Sequence, residues 1–233
     1  MKLEKVTKAD NPASKRSYND ACAAAHALDL IGERWSLLIM RELMFGPKRF
    51  GDLRSGLPGV SANVLTQRLE GLEAAGILHK TRLAPPASVQ VYELTEWGYE
   101  SEPILQALGR WAARSPGHDP NLPISTNSFL LSLRTMLDGK KALDLHFTIG
   151  FRLDGEDFIA RMDGGGLEIQ RGADEKYDLF FEASPRMLAA AIYGGQPLSA
   201  LENADLLVIK GDRTLAEKFV TLFPLPDKAS MPE

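Results

Sequence analysis

The sequence predicts a mainly α first half joined to an α+β second half, and three observations carry that reading. Apolar residues recur at helical spacing in most segments up to residue 114. Strict apolar–polar alternation, the mark of half-buried strands, dominates after residue 143. Between them lies Ser115-Pro-Gly-His-Asp-Pro-Asn-Leu-Pro123, a stretch rich in Pro, Gly and Asp that helices rarely cross. The expected division is a polar, mobile arm over 1–16, one domain over 17–115, a linker over 116–123 and a second domain over 124–233.

The first half opens with an Ala-rich helix from Asp20 to Leu30, interrupted at Gly32. A second helix, Arg34 to Met44, carries Trp35, Leu38, Ile39 and Leu43 on one stripe and ends at Gly46-Pro47. A third starts near Arg49 and presents Phe50, Leu53 and Leu57 before the turn Leu57-Pro58-Gly59. Ser61 is placed to cap the next helix, which runs to Ala75 and stops at Gly76. On that helix Leu65, Leu69 and Leu72 fall on one side, and Asn63, Thr66 and Gln67 on the other. Short helices, a Gly-containing turn and a longer helix with a polar outer face make a helix-turn-helix. Two strand-like runs follow, Ile77–Leu83 and Val89–Leu94, joined by Ala84-Pro-Pro-Ala-Ser88; this hairpin is the wing. Thr95 then caps a long helix to Arg114, with Tyr99, Ile104, Leu105, Leu108 and Trp111 apolar and Pro103 expected to kink it. So much apolar surface on one terminal helix exceeds what a small domain can cover, which predicts pairing with a second copy.

In the second half, residues 125–138 read as a helix and Leu143–Ile149 as a strand. Glu156–Met162, Leu167–Arg171 and Tyr177–Glu182 read as further strands, with Asp163-Gly-Gly-Gly166 a hairpin turn. Ser184-Pro185 starts a helix, Leu206–Ile209 is a short strand, and Gly211-Asp-Arg-Thr leads into a last helix to Phe223.

Composition bounds the function. The 233 residues are 44% hydrophobic and 25% charged, with a net charge of −4 and one cysteine. The charge is unevenly spread: 15 Lys and Arg face 13 Asp and Glu over 1–118, against 12 and 18 over 119–233. A small basic surplus on the first half suffices for phosphate if it gathers on one face. No apolar run reaches the roughly 20 residues that span a bilayer, and the first 17 residues lack an apolar stretch of signal-peptide length, so a cytoplasmic protein without membrane contact is expected. Cys22 alone cannot build a disulfide framework. His26, His79, His118 and His146 show no metal-ligand spacing, and neither a nucleophile elbow nor a Gly-rich nucleotide loop is present. No catalytic residue, metal or cofactor is expected, and the chain reads as a non-enzyme.

Candidate DNA-binding residues follow from placement. Asn63 and Gln67 are vertical neighbours whose amides donate and accept together, as the adenine edge in the major groove requires. Ser61, Thr66 and Arg68 complete that helix edge. Lys48, Arg49 and Arg54 stand at the start of the helix-turn-helix, and Lys80 and Arg82 on the wing, where phosphate or the minor groove lies. The expected partner is double-stranded DNA, met by a homodimer.

The run Cys22…Leu28-Asp-Leu-Ile-Gly-Glu-Arg-Trp35-Ser-Leu-Leu-Ile-Met-Arg-Glu-Leu43…Gly46-Pro47-Lys-Arg-Phe50, with Leu57-Pro-Gly-Val-Ser61, Leu65-Thr-Gln-Arg-Leu69, Leu72-Glu-Ala-Ala-Gly76 and Tyr92-Glu-Leu-Thr95-Glu-Trp-Gly98, resembles the HxlR family over about residues 17–115. The resemblance implies a dimeric winged-helix transcription regulator, with dimer contacts from its first and last helices and Ser61–Ala75 as recognition helix. Some relatives sense thiol oxidants through a cysteine at the position of Cys22, which makes Cys22 a candidate redox sensor; the competing reading is a small buried residue near the dimer interface. Leu206-Leu-Val-Ile-Lys-Gly211-Asp…Phe219…Leu222-Phe223 resembles the sterol-carrier-protein family over about 124–226. That likeness implies an open sheet with helices on one side and an apolar cavity between them. The expected fold is therefore a mainly α winged helix-turn-helix N-terminal domain plus an α+β sterol-carrier-like C-terminal domain. Phe147, Phe151, Phe158, Leu188, Ile192, Leu201, Phe219 and Phe223 are its candidate ligand-cavity residues, each equally readable as core. Two functions stay open: a DNA-binding regulator controlled by an apolar small molecule, or an apolar-ligand carrier that uses its first half to dimerise.

Overall fold

The computed structural model describes residues 17–83, 87–120, 122–173 and 176–230; the expected arm over 1–16 and the prolines of the wing turn lie outside them. The first half runs α1 (Ala23–Ile31), α2 (Ser36–Leu43), α3 (Phe50–Ser55), α4 (Ala62–Ala74), β1 (Leu78–Arg82), β2 (Gln90–Leu94), α5 (Glu96–Tyr99) and α6 (Glu102–Ala113). The second runs α7 (Thr126–Met136), β3 (Phe147–Leu153), β4 (Glu156–Asp163), β5 (Gly166–Arg171), β6 (Leu179–Ala183), α8 (Pro185–Ile192), α9 (Leu198–Asn203), β7 (Leu207–Gly211) and α10 (Arg213–Val220).

β1 and β2 form the wing hairpin, with Leu78 opposite Leu94 and Arg82 opposite Gln90. The Thr95 hydroxyl accepts from the Gly98 amide at 3.0 Å and donates to the Gly76 carbonyl at 2.8 Å, tying the start of α5 to the wing root. Gly98 is required there, since a Cβ would stand 2.1 Å from the Ile77 carbonyl oxygen. The long helix expected from Thr95 is broken at Glu100–Ser101 rather than kinked at Pro103. Proline in the first turn of α6 forfeits an N–H that has no partner in a helix anyway, so it starts a helix here.

The second half builds a five-stranded sheet in the order β5-β4-β3-β6-β7. β3 is antiparallel to β4 and parallel to β6, and Phe151 lies opposite Phe158 on one side and Phe181 on the other. Paired positions share a face, so Phe147, Ile149, Phe151, Phe158, Ala160, Leu179 and Phe181 make one apolar sheet surface, all buried. α10 lays Phe219 on it. The strand expected over Leu143–Ile149 begins only at Phe147. Asp138 explains the shift: its carboxylate accepts from the amides of Lys140 at 3.1 Å and Lys141 at 3.3 Å, and the turns continue to Leu145.

The halves share one hydrophobic cluster. α7 is buried on nearly every side, as a helix between two bodies must be: it meets α2 and α6 on the first half and β5 and α8 on the second. Phe45 meets Phe158 edge-on at 6.3 Å, the Arg134 guanidinium lies 4.9 Å over Phe45, and Arg134 pairs with Glu102 at 2.8 Å. Arg110 donates to the Thr135 carbonyl. The C-terminal segment returns to close the α6 end, the Ala229 amide bonding the Arg114 carbonyl at 2.7 Å and the Lys228 ammonium the Ala113 carbonyl at 3.0 Å.

Phe219 is the hub of the second half, within 5.6 Å of Phe181, 6.1 Å of Phe151, 6.4 Å of Phe147 and 4.9 Å of Phe223 by ring centroids. Phe219→Ala is expected to cost about 3–5 kcal/mol through lost transfer energy and an unfilled cavity, read as a lowered denaturant midpoint at unchanged slope. A loss under about 1 kcal/mol would show that the aromatic cluster is not the organising core.

Candidate DNA interface and dimer face

α4 has the two-sided character that recognition needs. Ser61 is extended and its Oγ accepts from the Val64 amide at 3.3 Å, so the helix starts where its cap predicts. Leu65, Leu69 and Leu72 are buried, and Asn63, Thr66 and Gln67 are exposed on the other side. Arg49 and Arg54 flank them on α3, and Arg82 stands at the outer end of β1; all three are exposed. Among these residues the α4 side-chain amides have no cap or core role.

Lys48 and Arg68 are drawn onto partners within the protein, and Lys80 has a partner at the surface. Lys48 is only 7% exposed, with its ammonium 3.2 Å from the Glu42 carboxylate; its backbone bonds Tyr92 in both directions, which draws the side chain inward. Arg68 turns back onto the α1–α2 turn, meeting Glu33 at 2.9 Å and the Arg34 carbonyl at 3.1 Å. Lys80 remains at the surface but binds Glu73 at 2.7 Å. That hydrogen bond is the main reason the Glu73 carboxyl lies below, and the Lys80 ammonium above, its ordinary range.

The apolar face expected on the terminal helix is present and larger than the sequence suggested. Ile104, Leu108 and Trp111 recur along α6 at helical spacing and stand exposed, Trp111 at 75%. Leu28 on α1 is exposed as well, and so is Leu38, which the stripe of α2 had placed inward. Cys22 is exposed just before α1, not buried. The backbone N–H groups of Ala25, and then of Ala24, hold its thiol below the ordinary value.

The second half places all the candidate cavity residues in its interior. Phe147, Phe151, Phe158, Leu188, Ile192, Leu201, Phe219 and Phe223 are all buried, and the rings of Phe147, Phe151, Phe219 and Phe223 meet around Phe219. A cleft of about 460 Å³ lined by Glu102, Gln106, Arg134, Leu137 and Glu168 lies at the junction of the halves. Sequence reasoning passed over Glu42, whose carboxylate is fully buried where the halves meet. An acid inside the apolar run Leu37–Leu43 was the available signal. Among the described residues no cluster suits a metal ion, and no helix is long and apolar enough to cross a membrane.

Comparison with known proteins agrees with both halves. The HxlR-like helix-turn-helix family matches residues 30–119, and the SCP-2 sterol transfer family matches 131–224. The HTH-type transcriptional regulator YvaP of Bacillus subtilis is 37% identical over 87 residues, covering 37% of this chain and 80% of that protein. An HTH-type transcriptional regulator of Synechocystis is 41% identical over 88 residues, and this chain spans 64% of its length. Among solved structures, the reduced form of the transcriptional regulator YodB from B. subtilis shows 33% identity over 42% of this chain and 98% of its own, with a TM-score of 0.38. The chain thus belongs to the HxlR-like helix-turn-helix family of transcription regulators and carries, fused behind the winged helix, a domain of the SCP-2 sterol transfer family.

Proposed function

We propose that this protein binds double-stranded DNA as a homodimer, reads it with α4, and answers to an apolar small molecule bound by the SCP-2 domain. The observation that carries the reading is the sidedness of α4: three buried leucines hold the helix while Asn63, Thr66 and Gln67 stand open to a major groove. Arg49, Arg54 and Arg82 supply the sequence-independent phosphate contacts around it. The occupant of the exposed α6 face is a second copy of the chain, since Ile104, Leu108 and Trp111 form an apolar stripe at helical spacing that remains open after the monomer folds. Such a dimer meets a pseudo-palindrome with half-sites roughly one helical turn, about 10 bp, apart.

Control by a ligand requires unequal affinity for two arrangements of the protein. Phe219 of α10 stands at the centre of the aromatic cluster, so an apolar effector bound between sheet and helices acts on α10 through that ring. Cys22 offers a second input, because an exposed thiol whose pKa is lowered by backbone hydrogen bonds is more thiolate than a free cysteine at the same pH.

Three outcomes are expected. Gln67→Ala reduces discrimination at one operator position by about 1–3 kcal/mol, whereas Arg49→Ala weakens all sequences alike and flattens the salt dependence. Gel shifts on specific and random duplexes separate the two, and an equal loss on both for Gln67→Ala would reject α4 as the reading helix. Trp111→Ala shifts the dimer toward monomer by at least tenfold in dissociation constant, or about 1.4 kcal/mol, measured by sedimentation; an unchanged equilibrium would rule out this face. Alkylation of Cys22 by iodoacetamide reaches half its maximal rate below about pH 8.5, the free-thiol value, because the thiolate persists to lower pH. A midpoint at or above that value would count against a sensing role.

A further inference from the structure

The SCP-2 domain meets the winged helix at Glu42, and this contact has a geometry of its own. The Glu42 carboxylate is 0% exposed. It accepts from the Arg41 guanidinium at 2.8 and 3.1 Å, from the Lys48 ammonium at 3.2 Å and from the Ser125 hydroxyl at 2.6 Å. Asn127 reaches the same residue from the same side, its Nδ2 donating to the Glu42 carbonyl at 2.6 Å. Ser125 and Asn127 stand at the start of α7 and belong to the second half. Lys48, held by the other carboxylate oxygen, exchanges both backbone hydrogen bonds with Tyr92 of β2, at 3.0 and 2.9 Å. One buried acid thus receives the second domain on one oxygen and the root of the wing on the other.

We propose that Glu42 is a positioning residue through which the SCP-2 domain sets the wing. With α7 seated, Ser125 fixes the carboxylate where it meets Lys48, and Lys48 holds Tyr92 and with it the hairpin. When α7 moves, a buried carboxylate loses its shortest hydrogen bond and must reorient toward its remaining donors, so Lys48 and the wing root loosen together. The coupling is reciprocal: whatever unseats α7 loosens the wing, and whatever fixes the wing seats α7. Asn127 Oδ1, buried without a hydrogen-bond partner, marks this joint as incompletely satisfied, as a contact with a second arrangement would be. Gly56 closes the other side of the carboxylate, since a Cβ there would stand 2.6 Å from Glu42 Oε2.

The proposal concerns the wing and is tested without DNA, so it stands or falls apart from the DNA-binding reading. Ser125 also caps α7, accepting from the Ser128 amide at 3.1 Å, so the informative variant is Ser125→Gly, which removes the hydroxyl while costing the cap little. In the full-length protein, hydrogen exchange at the Lys48 and Tyr92 amides is expected to accelerate about tenfold, while the amides of Leu65–Leu72 in α4 keep their rates. Lys228→Ala, which breaks a different contact between the halves, is the control and should leave the Lys48 and Tyr92 amides unmoved. Where Ser125→Gly does not fold, Asn127→Ala carries the same measurement. Unchanged exchange at both amides, uniform acceleration across the winged helix, or an equal response to Lys228→Ala would each overturn the proposal.

Discussion

A carboxylate without solvent must find its donors inside the protein, and Glu42 finds them from three directions: α2 itself, the turn before α3, and the start of α7. Removing any one partner leaves a charge that water cannot reach, a penalty larger than the pair's net worth. The halves are therefore joined by more than contact area. α7 contributes its apolar faces to both bodies and its polar N-terminus to this acid, so its position is fixed by packing along its length and by hydrogen bonds at one end. Arg134, two turns further on, repeats the arrangement from the other side by pairing with Glu102 of α6 and bonding the Ile169 carbonyl of the edge strand β5. α6, α2 and the sheet of the second half all converge on α7.

The parts of the fold legible in the sequence are those decided locally. Ser61, Thr95 and Ser184 each cap the helix they were expected to cap, because an N-cap is a bond between a side chain and an amide two or three residues on. The leucine spacing of α4 exposed its amides for the same reason: periodicity fixes which face is buried, whatever buries it. Misreadings arose where a partner distant in sequence decides. Lys48 has the composition of a phosphate contact, and only the tertiary pairing with Tyr92 turns it toward Glu42. Arg68 likewise follows Glu33, 35 residues earlier in the chain. Leu38 looked like core because its helix has an apolar stripe, yet it lies on the open side. The alternation over Leu143–Ile149 was a true signal overruled by one Asp138 carboxylate that holds a turn.

Cavity and core were indistinguishable from sequence because they use the same residues. A sterol-carrier-type interior and a packed aromatic cluster both need Phe147, Phe151, Phe219 and Phe223 turned inward, and ring-to-ring distances alone separate them. In this conformation the rings meet, which makes the interior a store of packing energy. The Phe219 ring at the centre of that cluster ties α10 to the sheet.

That link gives the fusion its physical sense. Past the end of α10 the Leu222 carbonyl accepts from the Asp138 amide just beyond α7. The chain then crosses to α6, where Asp227, Lys228 and Ala229 bond Arg114 and the last carbonyls of the helix. α10 is therefore tied to the winged helix by two routes: through α7, whose start meets Glu42, and through the C-terminal segment that bonds the end of α6. A second domain on a slack linker would have neither. A seat that shares a core, a buried acid and a C-terminal strap with the winged helix fixes the sheet and α10 relative to α2 and α6.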